Sequence, residues 1–114
     1  MDFTGSWTNQ HGSRLELRML GDGRVDGRFE SQVGDDGQTF WVTVRGDALG
    51  DLITFHAIFD TYRTIVSWVG QHVGPTDDGE LSCHWLHATD VKDRQEPAWL
   101  WYSNRIGHDV FRRV

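Results

Sequence analysis

Glycine and aspartate recur in tight clusters along this 114-residue chain, and those clusters restrict its fold more than any other feature. They are Gly21-Asp22-Gly23, Gly34-Asp35-Asp36-Gly37, Gly46-Asp47 with Gly50-Asp51, Pro75-Thr76-Asp77-Asp78-Gly79, and a looser stretch over residues 90–97. Glycine reaches left-handed backbone without a Cβ clash, and aspartate bonds its own main chain, so each cluster marks a turn. Between them lie segments of roughly 6–12 residues, the spacing of an all-β barrel or sandwich. Aspartate also outnumbers glutamate 13 to 4, a bias towards turns over helices. No apolar stripe of period 3.6 argues the other way.

Within the segments the apolar residues alternate. Leu15, Leu17 and Met19 share one parity, with Glu16 and Arg18 on the other; Val25, Phe29, Ser31 and Val33 alternate with Asp26, Arg28 and Glu30. Eight strands are expected, at 5–10, 14–20, 24–31, 39–45, 52–59, 64–73, 80–89 and within 98–114. Hairpin-length links between all neighbours favour an eight-stranded antiparallel up-and-down β-barrel. Such a barrel is wide enough for one small ligand and has no exposed edges. The whole of 1–114 reads as a single domain, since the chain has no room for a second core.

Two segments break the alternation. Thr64-Ile65-Val66-Ser67-Trp68-Val69 and Trp99-Leu100-Trp101 are apolar on both parities. A strand buried on both faces has the barrel interior on one side and a second surface on the other. That surface is either a neighbouring subunit or loops folded over the outside. Charge and composition narrow the partners. A formal charge of −6 is the wrong sign for gripping phosphate backbones, so no nucleic acid is expected. No apolar run is long enough for a membrane helix, and no basic-then-apolar leader opens the sequence, so no membrane is expected either. The one cysteine, Cys83, permits no intrachain disulfide and reads as a small core residue.

The six tryptophans must each be covered. Counting parity outward from them, Trp68 brings Val66 and Thr64 to its face, Trp85 brings Cys83 and His87, and Trp7 brings Asn9 and His11. Asn9, Ser13, Ser31 and Asp109 add polar groups from different segments. Two readings stand side by side: an aromatic-walled ligand cavity, or tryptophans that are simply core.

The motifs themselves carry a family likeness. Gly5-Ser6-Trp7-Thr8-Asn9-Gln10-His11-Gly12-Ser13 resembles the first strand and turn of the avidin/streptavidin family. So do Gly27-Arg28-Phe29-Glu30-Ser31-Gln32-Val33-Gly34, Ser67-Trp68-Val69-Gly70-Gln71-His72-Val73-Gly74, His84-Trp85-Leu86, and the end from Trp101 through Ile106-Gly107-His108-Asp109 to Phe111. Five motifs in register run from about Gly5 to Val114. The resemblance implies a biotin-binding barrel with no other cofactor and no metal. Asn9 and Ser13 would then donate to the ureido oxygen, and Ser31 and Asp109 would accept from the ureido N–H groups. Trp68, Trp85 and Phe55 would wall the rings, Val33 would sit on a closing loop, and the Asp35 backbone N–H and Thr64 would meet the ligand carboxylate. Trp101 matches a tryptophan that reaches a neighbouring subunit's site. His84, Ile106 and His108 match positions that meet at a two-fold contact, so a homotetramer is implied, loosening as pH falls through about 6. Relatives are commonly secreted. The disulfide-stapled dimeric branch is disfavoured by the single cysteine.

This chain departs from the family pattern at several of these positions. Phe29 stands where a tyrosine hydroxyl is usual, Val66 where a hydroxyl meets the ring sulfur, Phe55 where tryptophan is common, and His11 and His87 where leucine is frequent. The two histidines would contact a ligand carboxylate, or bond each other or water. Weaker biotin binding than the tightest members is expected, with room for a different small carboxylate or biotin-like ligand. Catalysis is disfavoured. His108 and Asp109 are adjacent on a strand and point to opposite faces, as do His84 and His87. No nucleophile elbow or phosphate loop is present.

Overall fold

The computed structural model describes residues 1–32 and 39–114. Eight strands form: β1 (Gly5–Thr8), β2 (Arg14–Gly21), β3 (Arg24–Gln32), β4 (Thr39–Leu49), β5 (Leu52–Phe59), β6 (Thr64–Val73), β7 (Glu80–Thr89) and β8 (Asn104–Arg113). Each pairs antiparallel with its sequence neighbour, and β8 returns to β1 through Trp7↔Arg113 and Thr8↔Arg112, which closes the barrel.

The turns follow from local chemistry. Gly21 pairs with Arg24 across the two-residue loop Asp22-Gly23, and both loop residues have positive φ (55° and 78°). That is the backbone a tight hairpin requires, and the reason an Asp-Gly pair sits there. Gly46-Asp47, in contrast, is no turn. β4 runs on to Leu49, and Gly46 pairs with both Val25 and Phe55 inside the sheet. A Cβ there would lie 1.8 Å from the Thr54 carbonyl oxygen, so this glycine marks a close approach of strands.

The end of the chain also differs from the sequence reading. Trp99-Leu100-Trp101 is not strand. A 3₁₀ turn (Asp93–Gln95), a one-turn helix α1 (Glu96–Trp99) and a second 3₁₀ turn (Leu100–Ser103) precede β8. Pro97 sits in the first turn of α1, where its missing N–H costs nothing, and it removes a donor that a strand would need.

Alternation is obeyed inside the barrel. Phe3, Trp7, Leu15, Leu17, Val25, Val44, Ile53, Phe55, Leu81, Cys83 and Phe111 are buried together. They fill one end of the barrel solidly. Outside, Ile65, Val69, Leu86 and Ile106 of β6–β8 are exposed, Ile106 by 76%. β6 is therefore apolar on both faces as its sequence suggested, and among the described residues no loop covers the outer one.

Candidate functional site

The other end of the barrel is hollow. A cavity of about 610 Å³ opens there, within the size range of a small-molecule site. Of the residues expected at a site, Asn9, His11, Ser13, Phe29, Ser31, Thr64, Val66, Trp68, Trp85, His87 and Asp109 line it. The polar set converges from the β1–β2 turn, β3 and β8.

Local bonding decides which atoms of this set face inward. Asn9 Oδ1 accepts the backbone N–H groups of His11 (3.0 Å) and Ser13 (2.9 Å). The amide is thereby oriented, and its Nδ2 remains as a donor for the cavity. The same bonds end β1 at Thr8, two residues earlier than alternation suggested. Asp109 is 5% exposed, and its Oδ2 accepts the indole N–H of Trp68 at 3.0 Å while Oδ1 accepts from Gln10 Nε2 at 3.3 Å. The carboxylate is fixed in place and keeps lone pairs for a ligand N–H.

The apolar walls are as specific. Phe29 tilts against Trp68 with ring centroids 5.1 Å apart. The Trp85 ring lies over Gly107, where an added Cβ would come within 2.0 Å of it. Gly107 is required by that close approach, which lets the indole lie back against the wall. Thr64 is buried at the mouth, its hydroxyl within 3.1 Å of Thr89 Oγ1 and bonded to the Tyr62 carbonyl.

His87 is half-buried, and its Nδ1 is enclosed with no hydrogen-bond partner. Burial, helped by the Arg105 charge, lowers its pKa below the usual histidine value. Nearby Cys83 is buried beneath the cavity floor; burial, with the Asp109 charge adding, pushes its thiol up to about 12. It is a core residue and not a nucleophile.

Phe55 does not line the cavity. It is 1% exposed and stacks behind Trp68 at 4.9 Å and 18°, so it supports the wall without forming it. Four residues on, at the same parity, Phe59 takes the wall position. Phe40 packs edge-on against it at 6.0 Å and stacks on Tyr62 at 6.2 Å. Sequence reasoning missed these three, although the period-two register Ile53-Phe55-Ala57-Phe59 already placed Phe59 on the inner face. Val33 and Asp35 lie outside the described residues, and the Trp101 side chain is likewise not described. Among the described residues, no group of three or more His, Cys, Asp or Glu side chains stands close enough to hold a metal.

A closed eight-stranded meander with this polar set under indoles matches one family over its full length: the Avidin family model aligns with residues 1–114. The chain belongs to the avidin family. Three solved avidin-like structures share the barrel. AVR2 has 24% identity and a TM-score of 0.82, covering 97% of this chain and 94% of that one. Xenavidin has 21% identity and a TM-score of 0.83, over 98% and 97%. Apo shwanavidin has 21% identity and a TM-score of 0.76, over 98% and 100%. At these identities the structures speak to the avidin fold, and the family model carries the membership.

Proposed function

We propose that this protein binds biotin non-covalently in the barrel cavity. The observation that carries the reading is the meeting of Asn9, Ser13, Ser31 and Asp109 in one aromatic-walled space. A cyclic urea presents one oxygen acceptor and two N–H donors. The Asn9 amide N–H and the Ser13 hydroxyl serve the oxygen, and Ser31 Oγ and the Asp109 carboxylate serve the N–H groups. Trp68, Trp85, Phe59 and Val66 enclose the bicyclic and aliphatic parts, where burial of apolar area contributes about 25 cal/mol per Å². Thr64 meets the carboxylate at the mouth. The reading is binding without catalysis.

Phe29 has no hydroxyl, so the urea oxygen receives one donor fewer than the family pattern provides. Such a loss costs on the order of 1–3 kcal/mol, which places affinity below that of the tightest members. A biotin-like ligand or another small carboxylate is the second reading, favoured by His11 and His87 on the cavity wall.

The protein assembles with copies of itself as a tetramer in this reading. The exposed apolar strip on β6–β8 and the half-exposed Trp99 and Leu100 support it, as does the position of Trp101 beside them. An extracellular setting follows the family. No described helix is long and apolar enough to cross a membrane.

Calorimetry with biotin and desthiobiotin, beside thermal melting, tests the proposal. Biotin at 100 times its dissociation constant should add about 2.7 kcal/mol of stability. No heat and no melting shift with millimolar biotin overturns the biotin assignment. Heat with desthiobiotin alone favours the second reading.

A further inference from the structure

On the outside of the barrel, His84 of β7 and His108 of β8 stand directly opposite in the ladder. Both are exposed. Their ring centroids are 4.8 Å apart and the planes are inclined at 54°. Two imidazoles on one ion, with metal–nitrogen bonds of about 2.0–2.1 Å, hold their centroids roughly 4.5–5.2 Å apart for angles between square-planar and tetrahedral. The pair already stands at that separation, without movement of either strand.

The surroundings set the chemistry. His84 is flanked on β7 by Ser82 and Leu86 and faces Val69 on β6; His108 is flanked on β8 by Ile106 and Val110. No carboxylate belongs to this group. Asp109, in the adjacent row, points into the cavity; on the outer face the nearest charged row of β7 and β8 holds Glu80 and Arg112, which are already paired with each other. A site of nitrogen donors alone, in an apolar rim, disfavours Mg²⁺ and Ca²⁺, which need oxygen, and suits Cu²⁺, Ni²⁺ or Zn²⁺. Ser82 Oγ lies 2.8 Å from His108 Nε2. With the hydroxyl as acceptor of the Nε2 proton, the tautomer is fixed and the Nδ1 lone pair is the ligand atom, as outer acceptors do for metal-binding histidines.

We propose that His84 and His108 form a two-imidazole site for a borderline divalent transition metal ion, Cu²⁺ ahead of Ni²⁺ and Zn²⁺, with Ser82 as a positioning residue. In the single chain, water fills the remaining positions on the ion. The site is complete within one chain and does not depend on biotin binding. It lies on the face assigned above to contacts between copies, so assembly is followed separately in the test.

The full-length, metal-free protein is titrated with Cu²⁺ in a non-chelating buffer, by calorimetry and electron paramagnetic resonance. The expected result is one tight ion per chain with coupling to two imidazole nitrogens, and no response to Mg²⁺. His84→Ala and His108→Ala each weaken binding at least tenfold, Ser82→Ala less, and His56→Ala, on exposed β5 surface, not at all. Melting curves confirm that each variant is folded, and light scattering on the same samples reports the assembly. Tight Cu²⁺ binding that survives either alanine at position 84 or 108, or a spectrum with one coupled nitrogen, overturns the proposal. So does the absence of any tight ion in the unsubstituted chain. A light-scattering mass of one chain counts against the assembly reading alone.

Discussion

The two ends of the barrel are built from the same strands, yet one is solid and the other hollow. At the solid end, Trp7, Leu15, Ile53, Phe55, Leu81 and Phe111 are almost fully buried and pack on one another. At the hollow end the inward positions of the same strands carry Asn9, Ser13, Ser31, Thr64, His87 and Asp109. Stability is concentrated at the first end and recognition at the second, because a polar group lining a cavity forgoes the packing that an apolar one would gain. Each end also encloses one histidine nitrogen without a partner: Nε2 of His72, edge-on to Trp7 at 6.4 Å, and Nδ1 of His87.

Truncation is the strongest way to break this contrast. Trp7→Ala should cost about 3–5 kcal/mol of unfolding free energy, as large cavities in packed cores do. Phe59→Ala, which enlarges a space already open, should cost less than half as much while weakening biotin binding. Equal losses in denaturant titrations of the two variants would mean the ends are not energetically distinct.

Asp109→Ala comes next in size. It strands the Trp68 indole N–H in a buried setting, at about 1–3 kcal/mol of stability. It also removes the acceptor proposed for the urea, so biotin affinity should fall at least tenfold by calorimetry. Loss of stability with unchanged biotin affinity would make Asp109 a brace and not a ligand contact.

Phe29→Tyr sharpens the hollow end in the other direction. The ring already faces the cavity beside Trp68. An added hydroxyl that reaches the urea oxygen should tighten biotin by about 1 kcal/mol, roughly fivefold. No gain would place the oxygen elsewhere.

The smallest effects are those of pH. The lowered pKa of His87 means that the unfolded chain takes up its proton first as pH falls below about 6.5. Its contribution to stability is present above that pH and is lost as pH falls through the native value. His87→Leu should flatten this part of the stability–pH curve. For Cys83 the sign is reversed. Its contribution holds below about pH 9 and disappears as the pH rises towards about 12. At pH 8 a thiol reagent should therefore modify Cys83 only as fast as the protein unfolds.

How much of this was legible beforehand depends on the range of the interaction. Asp22-Gly23 announces its hairpin because a positive-φ turn is a property of two residues. Gly46 misleads, because what requires it is the close approach of the paired strand β5 and not a turn of its own backbone. Trp99-Leu100-Trp101 reads as strand by composition, whereas Pro97 and the run of residues after it close into short helical turns. Phe55 and Phe59 share a parity, and parity says only that both point inward. Which faces a cavity and which backs another ring is set by height along the barrel axis.

Period-two patterning and turn chemistry determined eight strands, their faces and their order, since these are local or nearest-neighbour properties of the chain. Closure of β8 onto β1 decided the rest. It made one end solid and the other hollow, and turned Asn9 and Asp109 towards a common space. Those placements depend on register and strand tilt around the whole circuit, and no single segment contains them.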